Sequence, residues 1–220
     1  MFKDKTGKSG GRQVLLAESM FGLPKGDTIE MEAEVRRVAN SFNIRAEHLC
    51  LDRTGHGQGV YDLLRHNWGE VVGVNYSESC NEQRIMVEDH DEPKNLYDRI
   101  NSELWFAMRK FIEFGYCKIA YGFPTDDLFP QLTGRRYRSA GRKARVERKE
   151  DYQSRANGKS PDEADAFSLL IQLVRRAFGF VPGMAPENSL SSTMDDDDWS
   201  RSDTRVDCTN RFEDLETYGP

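Results

Sequence analysis

The stretch Leu49-Cys50-Leu51-Asp52-Arg53-Thr54-Gly55-His56-Gly57-Gln58-Gly59 opens on a short apolar run, stops at an acid and gives way to alternating glycines. A buried strand followed by a tight turn has this form. In α/β sheets the side chains at carboxyl strand ends converge above the sheet edge, and ligands collect there. The glycines let backbone, or a bulky phosphate, come close. Asp52 is therefore a candidate ligand, although an Asp that merely caps the following helix would have the same local sequence.

Working outward, residues 60–66 carry a helical pattern and residues 71–74 read as a second buried strand. Upstream, residues 12–20 contain a strand-length apolar run. Asp27 or Thr28 can then cap a helix reaching about Phe42, with Ile29, Val35, Val38, Ala39 and Phe42 forming its apolar stripe. Downstream, residues 77–93 are polar and irregular. Residues 93–114 predict one long helix with Leu96, Ile100, Leu104, Met108 and Phe111 on one face. A short strand at 117–120 and a short helix at 126–132 follow. Residues 134–149 read as a basic hairpin turning near Ala140-Gly141, and a last helix runs from Ser160 to about Phe178. Strands alternating with helices predict an α/β sheet covered on both faces.

Composition divides the chain. Charged residues make up 31% and hydrophobic ones 37%, which points to a packed part and an unpacked part. Residues 186–220 hold ten acids against three arginines, whereas the whole chain carries only −6, so the body is nearly neutral and the tail acidic. With its four-aspartate run and few apolar groups the tail buries too little surface to offset its ordering entropy, and disorder is expected. The expected organisation is a domain over residues 1–183 and an acidic tail over 184–220. The four cysteines lack zinc-like spacing; Cys50 and Cys117 lie in apolar surroundings and read as small core residues, which suits a reducing compartment. No run approaches the ~20 apolar residues of a membrane span, and residues 1–5 do not open a signal peptide. A cytoplasmic protein is expected.

Two further stretches bear chemistry. In Ser160-Pro161-Asp162-Glu163-Ala164-Asp165-Ala166, Ser160 and Glu163 have the form of a capping box, with Pro161 at the first helical position. The helix dipole accounts for Asp162 as a first-turn acid. Asp165 lies on the same side of a helix otherwise apolar at Ala164, Phe167, Leu170, Ile171 and Val174, and an acid near a buried face needs a cation or a donor. The second stretch holds Arg135, Arg136, Arg138, Arg142, Lys143, Arg145 and Lys149, with Arg148 and Tyr137 among them and only Glu147 interrupting. A hairpin so charged suits a phosphate backbone better than a solvated surface of mixed sign. Gly7-Lys8-Ser9 echoes a P-loop ending but lacks the earlier glycine. His56, Trp68, Trp105 and Phe106 read as turn or packing residues. Strand-end and helix carboxylates beside a basic hairpin suggest phosphodiester hydrolysis with two Mg²⁺ or Mn²⁺ ions, which hard oxygen ligands suit.

Three stretches together resemble the nuclease domain of tailed-phage terminase large subunits. Residues 51–64 resemble that family's strand-end Asp with spaced glycines and an Asp-x-Leu. Gln131-Leu132-Thr133 with Arg136-Tyr137, then Val146-Glu147-Arg148-Lys149, resemble the segment leading through its hairpin. Ser160 to Ala166 resemble its closing SPD-x-ADA element. The resemblance implies an RNase H-like mixed sheet flanked by helices, and a metal-dependent endonuclease cutting concatemeric double-stranded viral DNA during genome packaging. It also implies a terminase ATPase domain, a small terminase subunit and a portal as partners, and action in the infected bacterial cytoplasm. By matching position, Asp52 and Asp165 would be metal-binding catalytic acids, Asp162 would assist, and Lys149 would lie near the site.

The resemblance departs at the start. Such domains begin with a strand ending in a first metal-binding Asp. Nothing before Asp52 has that form, Asp4 follows no apolar strand, and Met1-Phe2 resembles the middle of the second strand. The first strand is therefore expected upstream of Met1. A catalytically incomplete RNase H-like module binding DNA, motor or portal remains the alternative, and a cellular RNase H-like resolvase a third reading.

Overall fold

A computed structural model describes residues 13–184. The acidic tail expected from residue 184 onward lies outside them, Met184 excepted, as do Asp4 and Gly7-Lys8-Ser9. The described chain runs β1 (Leu15–Ala17), α1 (Thr28–Ser41), a single turn at Ala46–His48, β2 (Cys50–Asp52), α2 (Gly57–Asn67), β3 (Val72–Val74), α3 (Pro93–Leu96) and α4 (Ile100–Glu113). It continues through β4 (Cys117–Ile119), α5 (Leu128–Gly134), β5 (Tyr137–Ala140), β6 (Lys143–Val146), α6 (Lys149–Arg155) and α7 (Asp162–Ala177). Among the described residues the strands form three two-stranded ladders: β1–β4 and β2–β3 parallel, β5–β6 antiparallel. The architecture is α/β with small parallel and antiparallel ladders. No helix among the described residues is long and apolar enough to cross a membrane.

The β2–β3 ladder is covered on both faces, and its side-chain alternation decides where Asp52 goes. Leu51 packs in the cluster of Ala46, Tyr61, Leu64 and Val71, beneath α2. Cys50 packs on the opposite side with Val74, Ile100, Leu104 and Leu169, from α4 and α7. Successive strand residues point to opposite faces, so Asp52 returns to the side of Cys50, where α7 lies. The larger core joins Ile85 and Met86 of the 75–92 loop to Phe111 of α4, Cys117 of β4, and Phe167 and Ile171 of α7. Burial pushes the Cys50 thiol up to about 12 and that of Cys117 up to about 11, as expected of inert core thiols.

Asp27 caps α1 in a full capping box with Glu30, its carboxylate accepting from the Ile29 and Glu30 amides. Ile29, expected on the apolar stripe, is exposed. The long helix expected over 93–114 is two helices. Tyr97 and Arg99 adopt extended conformations, Tyr97 is buried in a bridge to Ala144, and the Asp98 amide donates to the Ala144 carbonyl. Pairing with β6 thus outcompetes a helical pattern that would have run straight through. Helix α6 was not apparent in the sequence, and Lys149 belongs to its first turn rather than to the hairpin. The hairpin turns on Gly141-Arg142, with Gly141 at φ +64°, the left-handed conformation that such a two-residue loop requires.

Candidate functional site

Asp52 ends β2 and is held by its own turn: Oδ1 accepts the Thr54 amide at 2.8 Å. This is an Asx-turn, distinct from a cap on α2, whose N-cap residue His56 makes no side-chain cap bond. The turn is tight because Gly57 presses on the Asp52 carbonyl; a Cβ there would lie 1.9 Å from that oxygen. On the next strand Gly73 is crowded by side chains rather than backbone, since a Cβ would meet the Tyr61 ring at 2.5 Å.

Asp165 lies in the first turn of α7, packed against β2 and β3. Its Oδ1 accepts Arg135 Nη1 at 2.8 Å, and its Oδ2 lies 3.8 Å from Lys149 Nζ. Lys149 Nζ also donates to Asp162 Oδ1 at 2.6 Å. Burial pushes the Asp165 carboxyl above its ordinary range, against the pull of Arg135 and Lys149. For Asp162 burial acts the same way, but its bonds to Lys149 and Ser160 outweigh it and the carboxyl is lowered. Burial opposes the Lys149 charge, yet Asp162, Asp165 and Asp52 together raise its ammonium. Lys149 thus joins Asp162 and Asp165, while Asp52 ends the strand against which their helix packs.

The capping box expected at Ser160 and Glu163 does not form. Pro161 occupies the N-cap position, Ser160 Oγ donates to Asp162 Oδ1, and Glu163 instead accepts from Gln131 Nε2 of α5. The Gln131 Oε1 in turn takes the Ala164 amide at 3.0 Å, so a neighbouring helix caps α7. Tyr76, just past β3, donates its hydroxyl to the Asp165 carbonyl at 2.9 Å. Burial first, then Asp165, holds that phenol well above its ordinary value.

The basic residues divide. Arg136, Arg138, Arg142 and Lys143 are exposed, and none forms an ion pair among the described residues. Arg138 and Arg145 face each other across the ladder, and Arg145 is paired with Asp98 at 3.2 Å. Arg135, expected on the DNA-facing hairpin, is buried inside the molecule, where no phosphate reaches it. Its signal in the sequence was only its place one residue before the exposed arginines.

Asp52, Asp162 and Asp165 are hard oxygen donors, and the last two already share one cation, the Lys149 ammonium. In kind they fit Mg²⁺ or Mn²⁺. In number they are sparse: among the described residues no group of three or more His, Cys, Asp or Glu side chains closes around one point.

No protein-family model matches the sequence, and no curated protein does either. Solved structures do. A mutant nuclease domain of the large terminase subunit gp2 of bacterial virus Sf6, with manganese and beta-thujaplicinol, superposes with a TM-score of 0.56 at 13% identity, covering 68% of this chain and 74% of that one. The same mutant domain with manganese gives 0.51 at 14% identity, covering 74% and 89%. The nuclease domain itself gives 0.50 at 14% identity, with the same coverage. At such low identity the likeness is one of fold: this chain is built on the α/β architecture of a phage terminase nuclease domain.

Proposed function

We propose that the chain is the nuclease domain of a phage terminase large subunit, an endonuclease that cleaves concatemeric double-stranded DNA during genome packaging. The observation that carries this reading is that Asp52 ends a strand against which α7 packs, the helix whose Asp162 and Asp165 share the Lys149 ammonium. Asp52 and Asp165 would hold Mg²⁺ or Mn²⁺ with Asp162 assisting, and a two-metal site would supply an activated water and stabilise the leaving oxygen. The chain's own groups do the rest. Arg136, Arg138, Arg142 and Lys143 bind the phosphate backbone and fix its register, while Lys149 moves from its bond with Asp162 towards a phosphate oxygen. The domain would occupy residues 1–183, with an acidic tail beyond. The ATPase domain, small subunit and portal of a packaging motor would be its partners, in the infected cell's cytoplasm.

The test is plasmid cleavage in Mn²⁺ by the chain and its Asp52→Ala and Asp165→Ala variants. Cleavage that EDTA stops and both substitutions abolish is expected; equal cleavage by variants and parent rejects the site. The sparse ligand set favours one second reading, a catalytically incomplete RNase H-like module that binds DNA or the motor. Salt-sensitive DNA binding by the parent without metal-dependent cutting would select it.

A further inference from the structure

Arg135 occupies an unusual place for an arginine. Its side chain is 1% exposed, and four contacts fix it. Nη1 donates to Asp165 Oδ1 at 2.8 Å, while Nε and Nη2 both donate to the Glu147 carbonyl at 3.2 and 3.1 Å. The guanidinium lies 4.7 Å over the Trp105 ring. Two edges and one face of the fork are engaged, so the plane cannot turn without breaking a contact. A lysine has neither the plane nor the second edge. Glu147 is also the residue at which β6 leaves the hairpin: its amide donates to the Arg136 carbonyl and its carboxylate takes the Arg136 amide.

Asp165 is left asymmetric by this arrangement. Arg135 occupies Oδ1 from the core side. Oδ2 faces Lys149 at 3.8 Å, beyond hydrogen-bond range, and that lysine is already bonded to Asp162. A buried ion pair is weak evidence for stability, because desolvating both charges offsets their attraction. A role at the site gives this pair a use. We infer that Arg135 is a positioning residue, which presents Asp165 to a divalent cation through Oδ2 alone and keeps that oxygen in register with the base of the hairpin. The inference rests on the metal-site reading above. Groups that orient a ligating carboxylate in this way typically change metal affinity by about 10–100-fold when altered.

The decisive experiment compares Arg135→Lys with Arg175→Lys. The second makes the same change at a buried arginine paired with Glu103 at 2.6 Å, about 15 Å further along the same helix as Asp165. Mn²⁺ binding is followed by the electron paramagnetic resonance of the free ion, with Asp165→Asn as the ligand-loss reference and circular dichroism to verify folding. Arg135→Lys weakens binding by about 10–100-fold, while Arg175→Lys binds as the parent does. Should Arg135→Lys not fold, Trp105→Leu removes the face under the guanidinium and leaves every charge; it weakens binding in the same direction. Parental affinity in the folded variant, or equal weakening in both arginine variants, overturns the inference and leaves the metal site standing. A parent that binds no Mn²⁺ overturns both.

Discussion

Gly57→Ala tests whether the geometry of Asp52 depends on a backbone contact that no side chain tolerates. The added Cβ would lie 1.9 Å from the Asp52 carbonyl oxygen, whereas ordinary contacts begin at 3.4 Å, so roughly 1.5 Å of displacement is needed. The obstacle is backbone within the β2–α2 turn and cannot rotate aside. Overpacking of this kind costs about 1–3 kcal/mol, and a rigid obstacle puts it at the upper end. Alanine returns at most about 1 kcal/mol in helix propensity, and less at the first residue of a helix. A net loss of about 1–2 kcal/mol follows. Gly59→Ala is the internal comparison: its Cβ would meet Thr28 Cγ2 at 2.9 Å, the movable end of a side chain, and the substitution should be neutral or slightly stabilising. Urea denaturation followed by circular dichroism gives both values. If Gly57→Ala is as stable as Gly59→Ala, β2 is not fixed by this approach and the argument for the position of Asp52 fails.

Other perturbations probe the supports of the site. Ser102 Oγ accepts the buried Val146 amide at 3.0 Å and donates to Asp98, so Ser102→Ala leaves an unpaired N–H and lowers stability by about 1–3 kcal/mol in urea denaturation. Arg175→Met strands the Glu103 carboxylate, 0% exposed, and costs about 3–5 kcal/mol by the same assay; a loss below 1 kcal/mol would show that Asn81 satisfies it alone. The Glu147 carboxyl is lowered chiefly by its bonds to Arg155. A carboxyl lowered in the folded state adds stability above its unfolded value and loses it as pH falls through its folded value. The stability gap between the parent and Glu147→Gln should therefore be full at neutral pH and close below the ordinary carboxylate range, read from denaturation at pH 7 and pH 3. A gap independent of pH refutes that assignment.

Local signals were enough to place much of this protein. The apolar run ending at Asp52 is a strand because its alternating residues have apolar partners on both faces, Leu51 with Tyr61 and Cys50 with Leu104. The capping box at Asp27 and the apolar period after Ala164 fix α1 and α7 for the same local reasons. The stripe from Leu96 to Phe111 was also legible, but not its break, because Tyr97 leaves the helix to bridge Ala144, forty-seven residues away in sequence. The supposed cap of α7 failed likewise: Ser160 and Glu163 had the right spacing, while Gln131 from another helix satisfied the backbone.

The residues around the acids divide on the same principle. Sequence alone named Asp52, Asp162 and Asp165, since a strand end, a first helical turn and a charge on an apolar face are local patterns. Only the tertiary structure decided their company. It turned Arg135 from the exposed row of arginines into the core beneath Asp165, brought Lys149 to Asp162 and Asp165, and set Tyr76 against the Asp165 backbone. These contacts join residues thirteen to eighty-nine positions apart. Periodicity reports which face a side chain takes on its own element, and contributes nothing about which other element lies opposite.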